Sequence, residues 1–246
     1  MNKVARVTAA FWVMKICATT LGETGGDLLS MTLNIGYAVS SLLLVGIFAV
    51  VLGVQLRAKA FHAPLYWAVV LLTSTAGTTM SDYMDRTLGL GYTTGTLILV
   101  SCLAVVLFAW RKVEGSLSVS RIESGRAEVF YWAAILCSNT LGTALGDFLA
   151  DDSGLGFLGS AALIAGLLVL VLLAYRYTKL SHVALFWAAF VLTRPFGATF
   201  GDVLTKPKDH GGLALGTAGS SAVLAVILVV ALVWTERRGR GAGEAA

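Results

Sequence analysis

Four aspartates recur at one fixed place in a motif that the chain repeats: a tryptophan is followed ten residues later by a glycine and fifteen residues later by an aspartate. The aspartates are Asp27, Asp82, Asp147 and Asp202, the glycines are Gly22, Gly77, Gly142 and Gly197, and the tryptophans are Trp12, Trp67, Trp132 and Trp187. Each motif lies in an apolar stretch, where an ionisable side chain is costly and usually lines a polar interior or a pathway. Carboxylate oxygens are the ligands that hard cations such as Mg²⁺ and Mn²⁺ prefer. We therefore predict that these aspartates bind a metal cation.

Further polar residues fall on the helical face that carries the aspartates. At about 100° per residue, positions 7, 8, 11 and 15 after each tryptophan lie within about 100° of one another. These positions include Thr19, Thr20, Glu23, Thr78, Asn139, Thr143 and Arg194, and Lys15 lies in the same stretch as Glu23. Facing lipid, this polar stripe would cost several kcal/mol, so we expect it to face the interior of a helix bundle. Glu23 is predicted as a fifth metal ligand and the others as pathway residues, with Arg194 at a height that allows pairing with Glu23.

Composition places the chain among membrane proteins. Of its 246 residues, 57% are hydrophobic and 13% are charged, and the mean hydropathy is +0.81. A soluble domain carries roughly 25% charged residues. Eight apolar runs are long enough to cross a hydrocarbon core of roughly 30 Å. Their expected bounds are 8–29, 35–56, 64–83, 91–111, 129–149, 155–175, 183–204 and 213–235. The sequence thus predicts an all-α membrane protein with eight transmembrane helices.

The distribution of basic residues predicts the orientation of these helices. The loops after the second, fourth and sixth runs and both chain ends hold most of the lysines and arginines, whereas the opposite loops hold Arg86, Lys206 and Lys208. By the positive-inside rule both termini are cytoplasmic, and the motif aspartates lie toward the external side. The first run contains Lys15 and the first motif, so we expect a helix of the mature protein rather than a cleaved signal.

The motif marks a repeating unit of two helices. The units span residues 11–59, 66–112, 131–179 and 186–235, and a polar loop, 113–128, joins two similar four-helix halves. Because each unit contains an even number of helices, successive units point the same way. We therefore expect a single integral membrane domain, 1–246, built as a parallel, pseudo-symmetric bundle. The motif glycines would let its helices approach closely.

Two interpretations stay open for the motif aspartates, and two for the motif tryptophans. The aspartates either cap or brace the segment that follows each first helix, or they take part in a polar pathway. The tryptophans either anchor the protein at the membrane interface or pack at the cytoplasmic mouth of the bundle.

The fourfold pattern W-x9-G-x4-D, with two apolar runs per unit, resembles a family of bacterial integral membrane proteins built from a repeat of unknown function. The resemblance extends from residue 11 to about residue 235. It implies an eight-helix protein of the bacterial inner membrane with one such tryptophan per repeat, and it implies no particular activity. The fourth repeat departs from the others, because Arg194 and Pro195 replace small polar residues and because its outer loop is longer.

The sequence contains no phosphate loop, HExxH zinc motif or GxSxG nucleophile motif, so we expect neither an enzyme nor a cofactor. The leading hypothesis is a transporter or channel-like carrier of a small cation, with a hard divalent metal as its substrate. A proton-coupled carrier of a small solute is the second, with Glu23 or Asp27 as the proton site and Arg194 or Lys15 as the anion site. A non-transporting scaffold or sensor is the third. The expected partners are the lipid bilayer and the small cation or solute, with no nucleic acid, and a homo-oligomer stays open.

Overall fold

Eight α-helices make up most of the protein. A computed structural model describes residues 3–122 and 124–244, and these residues contain no β-strand. The helices are α1 (Ala9–Asp27), α2 (Tyr37–Arg57), α3 (Ala63–Asp82), α4 (Gly91–Glu114), α5 (Gly125–Asp147), α6 (Gly156–Tyr177), α7 (His182–Thr205) and α8 (Thr217–Glu244). The predicted all-α fold and its eight helices are therefore confirmed for the described residues.

The connection between the two halves is shorter than the predicted loop 113–128. Helix α4 continues to Glu114 and ends where Gly115 adopts a left-handed φ of 72°, a conformation that favours glycine. Helix α5 begins at Gly125, because the side chain of Ser124 accepts a hydrogen bond from the backbone N–H of Ala127 and caps the helix. The segment that joins the halves is thus 115–124.

The helical structure of the first helix in each repeat continues beyond its motif aspartate. A π-helical turn follows Asp27, Asp82 and Asp147 directly, and α7 continues beyond Asp202 to Thr205. None of the first three aspartates makes a side-chain capping hydrogen bond to the turn that follows it. The capping interpretation is therefore wrong for these three residues.

The first helices of the four repeats form the interior of the bundle. Helices α1, α3, α5 and α7 contact one another in cyclic order, so that α7 also packs against α1. The second helix of each repeat packs mainly against the first helix of the next repeat: α2 on α3, α4 on α5, α6 on α7, and α8 back on α1. Four inner helices thus enclose the core, and four outer helices cover them.

The outer helices present apolar side chains to their surroundings. Exposed examples are Leu42, Val50, Phe108, Leu170 and Val230. By length and composition, six helices within the described residues could cross a membrane: α2, α4, α5, α6, α7 and α8. Helices α1 and α3 are not among them, because α1 carries three charged residues and α3 is rich in serine and threonine. These features indicate a multi-pass membrane protein whose two most polar helices lie inside the bundle.

Close contacts between the inner helices recur at the four motif glycines. Each glycine faces the residue seven positions after the tryptophan of the next inner helix: Gly22 faces Ser74, Gly77 faces Asn139, Gly142 faces Arg194 and Gly197 faces Thr19. A Cβ atom at Gly77 would lie 2.9 Å from the backbone nitrogen of Thr140. Since backbone atoms of a packed helix cannot move aside singly, a larger residue would force the two helices apart.

Aromatic side chains fill the end of the bundle that carries the motif tryptophans (the Trp end). Three of these tryptophans are buried and one is half-buried. The buried ones are Trp67, Trp132 and Trp187, and the half-buried one is Trp12. Within the cluster, the hydroxyl groups of Tyr66 and Tyr131 lie 2.6 Å apart. The three buried tryptophans therefore pack inside the bundle and do not form an exposed interfacial belt.

Two further segments cover the Trp end. Lys3 forms an ion pair with the buried Glu128 and donates a hydrogen bond to the carbonyl of Leu56 at 3.0 Å. From the other side, the indole N–H of Trp187 donates to the carbonyl of Leu117 at 3.0 Å. The N-terminal residues and the 115–124 segment thus close this end of the inner helices.

Candidate functional site

A buried ion pair joins two inner helices in the middle of the bundle. Arg194 of α7 donates a hydrogen bond from Nη2 to Oε2 of Glu23 on α1 at 2.9 Å. The same nitrogen lies 2.6 Å from the hydroxyls of both Thr78 on α3 and Thr143 on α5. Neither charged side chain is more than 4% exposed, so each charge depends on the other for compensation. One guanidinium thus contacts all three other inner helices, and the pairing expected from helical rise is present.

A second buried cation lies between this ion pair and the Trp end. The ammonium of Lys15 donates to Oδ1 of Asn139 at 3.1 Å and lies 4.2 Å from the ring centroid of Phe190. Asn139 in turn donates to the hydroxyl of Thr73 at 2.9 Å. Among the residues the structure describes, no carboxylate lies within salt-bridge distance of Lys15. Lys15 is therefore held by an amide and an aromatic face rather than by an opposite charge.

At the opposite end of the bundle (the Asp end), one arginine bridges two motif aspartates. Arg86 lies in the π-helical turn after α3, and its Nε is 3.0 Å from Oδ1 of Asp82. Its Nη2 reaches Oδ2 of Asp147 on α5 at 3.4 Å. Both carboxylates are buried. Opposite charges thus link α3 to α5.

One lysine bridges the other two motif aspartates. The ammonium of Lys206 is 2.9 Å from Oδ2 of Asp27 and 3.2 Å from Oδ1 of Asp202. Burial lowers the pKa of Lys206, but the carboxylates of Asp202 and Asp27 raise it by more, so its pKa lies above the ordinary value. Lys206 is therefore an ammonium at neutral pH, and it links α7 to α1 as Arg86 links α3 to α5.

Three carboxylates converge beside Lys206. Glu23, Asp27 and Asp202 each offer one oxygen, and these atoms lie within 4.8 Å of one another. All three residues are buried. Hard divalent cations take such oxygens at about 2.0–2.6 Å. Small side-chain movements would let this carboxylate triad hold one ion in the place of the ammonium.

The five expected ligands do not form one group. The motif aspartates form two separate pairs, and each pair shares a basic side chain. From the sequence, Arg86 and Lys206 were expected only as loop charges, and their bridging role was not predicted. Both lie four residues after their motif aspartate, in the second and fourth repeats, and this spacing brings opposite charges together on a helix. That signal could have identified them.

The two predicted threonines of α1 differ in their surroundings. The hydroxyl of Thr19 reaches the carbonyl of Ile16 in its own helix at 2.9 Å and the carbonyl of Thr193 on α7 at 3.2 Å. Thr20, which is also buried, donates to the carbonyl of Ile16 at 2.9 Å. Of these two hydroxyls, that of Thr19 bonds to a neighbouring inner helix.

Comparison with protein families identifies the repeat. The family model described as Repeat of Unknown Function (DUF347) matches four successive segments, residues 10–61, 65–116, 130–181 and 185–240. Because these segments cover most of the chain, the protein belongs to this family, and the resemblance predicted from the motif is confirmed. No curated protein and no solved structure matches the chain.

Proposed function

We propose that this member of the repeat family is a protein of the bacterial inner membrane that carries a small, hard divalent cation such as Mg²⁺ or Mn²⁺. All eight helices would cross the bilayer with both termini in the cytoplasm, and the four repeats would surround an axis along the membrane normal. The recurrence of one glycine contact at the four contacts between inner helices supports this arrangement. The basic loops near the Trp end support the orientation.

The observation that carries the proposal is the carboxylate triad with a tethered cation. Glu23, Asp27 and Asp202 converge within 4.8 Å, and the Lys206 ammonium already occupies the position of a bound cation between two of them. Lys206 follows the end of α7, and its side chain keeps 21% exposure. It can therefore swing toward solvent when another cation takes its place between the two carboxylates.

Formal charges favour a divalent ion in the triad. With Lys206 in place, three carboxylates face the two cations Arg194 and Lys206, which leaves one negative charge. If a divalent ion replaces the ammonium, the group becomes neutral, whereas a monovalent ion leaves its charge unchanged. Uncompensated charge in the interior costs several kcal/mol. Exchange of Lys206 for a divalent ion thus improves the charge balance of the bundle.

The second aspartate pair is suited to a structural role. A guanidinium is planar, is always charged and presents its N–H donors in a rigid fork, whereas an ammonium is a compact charge on a flexible stem. Arg86 also lies 5.9 Å and 5.7 Å from the ring centroids of Tyr37 and Tyr92, which hold it from the outer side. We therefore assign a structural role, bracing α3 against α5, to the aspartate pair that Arg86 bridges (the bracing pair). The pair that Lys206 bridges exchanges this ammonium for a metal ion (the exchange pair).

Carriage across the membrane requires the Trp end to open. In the present conformation the aromatic cluster and the two covering segments close that end, while the Asp end exposes part of Lys206. In the proposed alternating-access cycle, this conformation would be the one in which the exchange pair is reached from the external side.

The test compares two matched triple variants. In the first, Asp27→Asn, Asp202→Asn and Lys206→Gln remove the exchange pair together with its cation. Cells that express wild type should change their content of one divalent metal, measured by multi-element mass spectrometry, and this variant should abolish the change. Equal expression and an unchanged size-exclusion profile confirm that the variant is folded.

In the second variant, Asp82→Asn, Asp147→Asn and Arg86→Gln remove the bracing pair in the same way. We expect lower thermal stability with the metal change retained. If wild type changes no metal, or if the first variant transports as well as wild type, the carrier proposal is wrong.

One observation favours a second candidate, a non-transporting scaffold. Every motif aspartate has a basic partner, and each basic residue bridges neighbouring inner helices. A scaffold predicts that both triple variants lose stability equally and that no metal content changes with wild type. The same experiment therefore separates the two candidates.

A further inference from the structure

A groove opens on the side of the bundle near the Trp end. Its volume is about 780 Å³, and it lies between α1, α6, α7 and the 115–124 segment. Its inner wall is apolar and includes Ile16, Leu168 and Phe186, which lie one or more turns from the helix ends. Its mouth includes Ser118 and His182, at the ends of the elements. Apart from Thr193, whose hydroxyl donates to the carbonyl of Phe190 in its own helix, the groove is thus apolar in depth and polar at its mouth.

The exposure of the motif tryptophans supports an opening at this place. Trp12 lines the groove and is half-buried, whereas Trp67, Trp132 and Trp187 are 5%, 1% and 6% exposed. Trp187 is covered by Trp110 of α4, at 5.7 Å between ring centroids. Of the four equivalent tryptophans, Trp12, between α7 and α1, is thus the least covered.

Basic residues flank the mouth of the groove. Arg6 precedes the lining residue Val7, Arg176 follows the lining residue Tyr175, and Lys179 lies in the turn before α7. The three basic side chains are exposed, and no acidic residue is among those lining the groove. An apolar slot beneath a basic rim matches an amphiphile with an anionic head.

We propose that this groove binds an anionic phospholipid, with one acyl chain beside Trp12 and the phosphate among Arg6, Arg176 and Lys179. Basic pockets between helices on the cytoplasmic side suit anionic head groups, and the proposed orientation places the Trp end on that side. The volume of the groove lies within the roughly 300–1,000 Å³ of small-ligand sites.

The test uses quenching of Trp12 fluorescence by brominated phospholipid. The exposed Trp234 is first replaced by phenylalanine, and the Trp12 signal is the difference between this protein and the same protein with Trp12→Phe. The protein is placed in mixed bilayers of phosphatidylglycerol and phosphatidylcholine, in which either one or the other lipid carries bromine on its chain. We expect stronger quenching when the phosphatidylglycerol is brominated.

Two variants and a matched control make the result specific. Arg176→Gln with Lys179→Gln should lower the preference for phosphatidylglycerol on the order of tenfold, because each basic residue near an anionic membrane surface contributes to binding. Arg111→Gln with Lys112→Gln, at the equivalent end of α4, should leave the preference unchanged. Ala189→Phe narrows the groove and should reduce quenching by either lipid.

Two outcomes would overturn the proposal. Equal quenching by both brominated lipids, unaffected by the Arg176 and Lys179 substitutions, would mean ordinary contact with bulk lipid. Absence of Trp12 quenching by either lipid would mean that no acyl chain enters the groove.

Discussion

The ion pair between Glu23 and Arg194 offers a quantitative test of how the polar interior holds the bundle together. Replacing Arg194 with glutamine leaves the buried Glu23 carboxylate with the hydroxyl of Thr78, 3.2 Å away, and without an opposite charge. Replacing Glu23 with glutamine leaves the guanidinium among the hydroxyls of Thr78 and Thr143. Breaking a buried pair by removing one partner typically costs about 3–5 kcal/mol, because the remaining charge stays desolvated.

The double variant should lose less stability than the sum of the losses in the two single variants. Glu23→Gln with Arg194→Gln leaves two neutral amides that can bond to each other and to the threonines. We therefore expect a coupling energy of about 2–3 kcal/mol in a double-mutant cycle, near the upper end for contacting residues. The free energy of unfolding is measured in mixed micelles by titration with a denaturing detergent, followed by circular dichroism.

A surface pair serves as the control for this cycle. Arg126 and Glu114 lie 3.8 Å apart, and the Arg126 side chain is 81% exposed. Exposed pairs typically contribute about 0.2–1 kcal/mol, so the coupling energy between these residues should stay below about 1 kcal/mol. A coupling energy between Glu23 and Arg194 as small as that of the control would refute the conclusion that the central pair is desolvated and mutually dependent.

Three further substitutions test particular contacts, each by the same unfolding measurement. Gly77→Ala should destabilise the protein by about 1–3 kcal/mol, because its Cβ would meet the backbone of α5 at 2.9 Å. Gly46→Ala, with open space around it, should be neutral or stabilising. Equal effects of the two substitutions would contradict the close approach of α3 to α5. Lys15→Met should raise stability, since it removes a buried charge without a carboxylate partner, and a large loss would show that an anion compensates it. Tyr66→Phe should cost about 1–2 kcal/mol by leaving the Tyr131 hydroxyl without its partner, while the double change to phenylalanine should cost no more.

The helices could be located from sequence because membrane-length apolar runs are a strong signal. Their ends were less certain, since a helix ends where a particular cap forms. The side chain of Ser124 and the left-handed Gly115 shorten the connection between the halves to 115–124. The neighbours of each helix were not predictable, because the repeat pattern does not say whether α2 packs on α1 or on α3.

Part of the polar interior was also predictable. Helical phase placed Glu23 and Arg194 on the inward face, and a height difference of only about 6 Å allowed these long side chains to meet, as they do. The same reasoning missed Arg86, because this residue was counted as part of the outer loop, whereas the chain stays helical from Tyr83 to Thr87. Lys206 was missed because it follows the end of α7 and was counted as part of a loop.

The return of α8 to α1 has a consequence for how the chain is assembled. Since each outer helix covers the inner helix of the following repeat, the face of α1 that α8 covers stays open until the last helix has entered the membrane. Burial of the first helix, which carries three charged residues, is therefore completed only when α8 has been synthesised. Circularly permuted chains that keep all four repeats should therefore still close, whereas a chain of the first two repeats leaves Glu23 of α1 without Arg194 of α7.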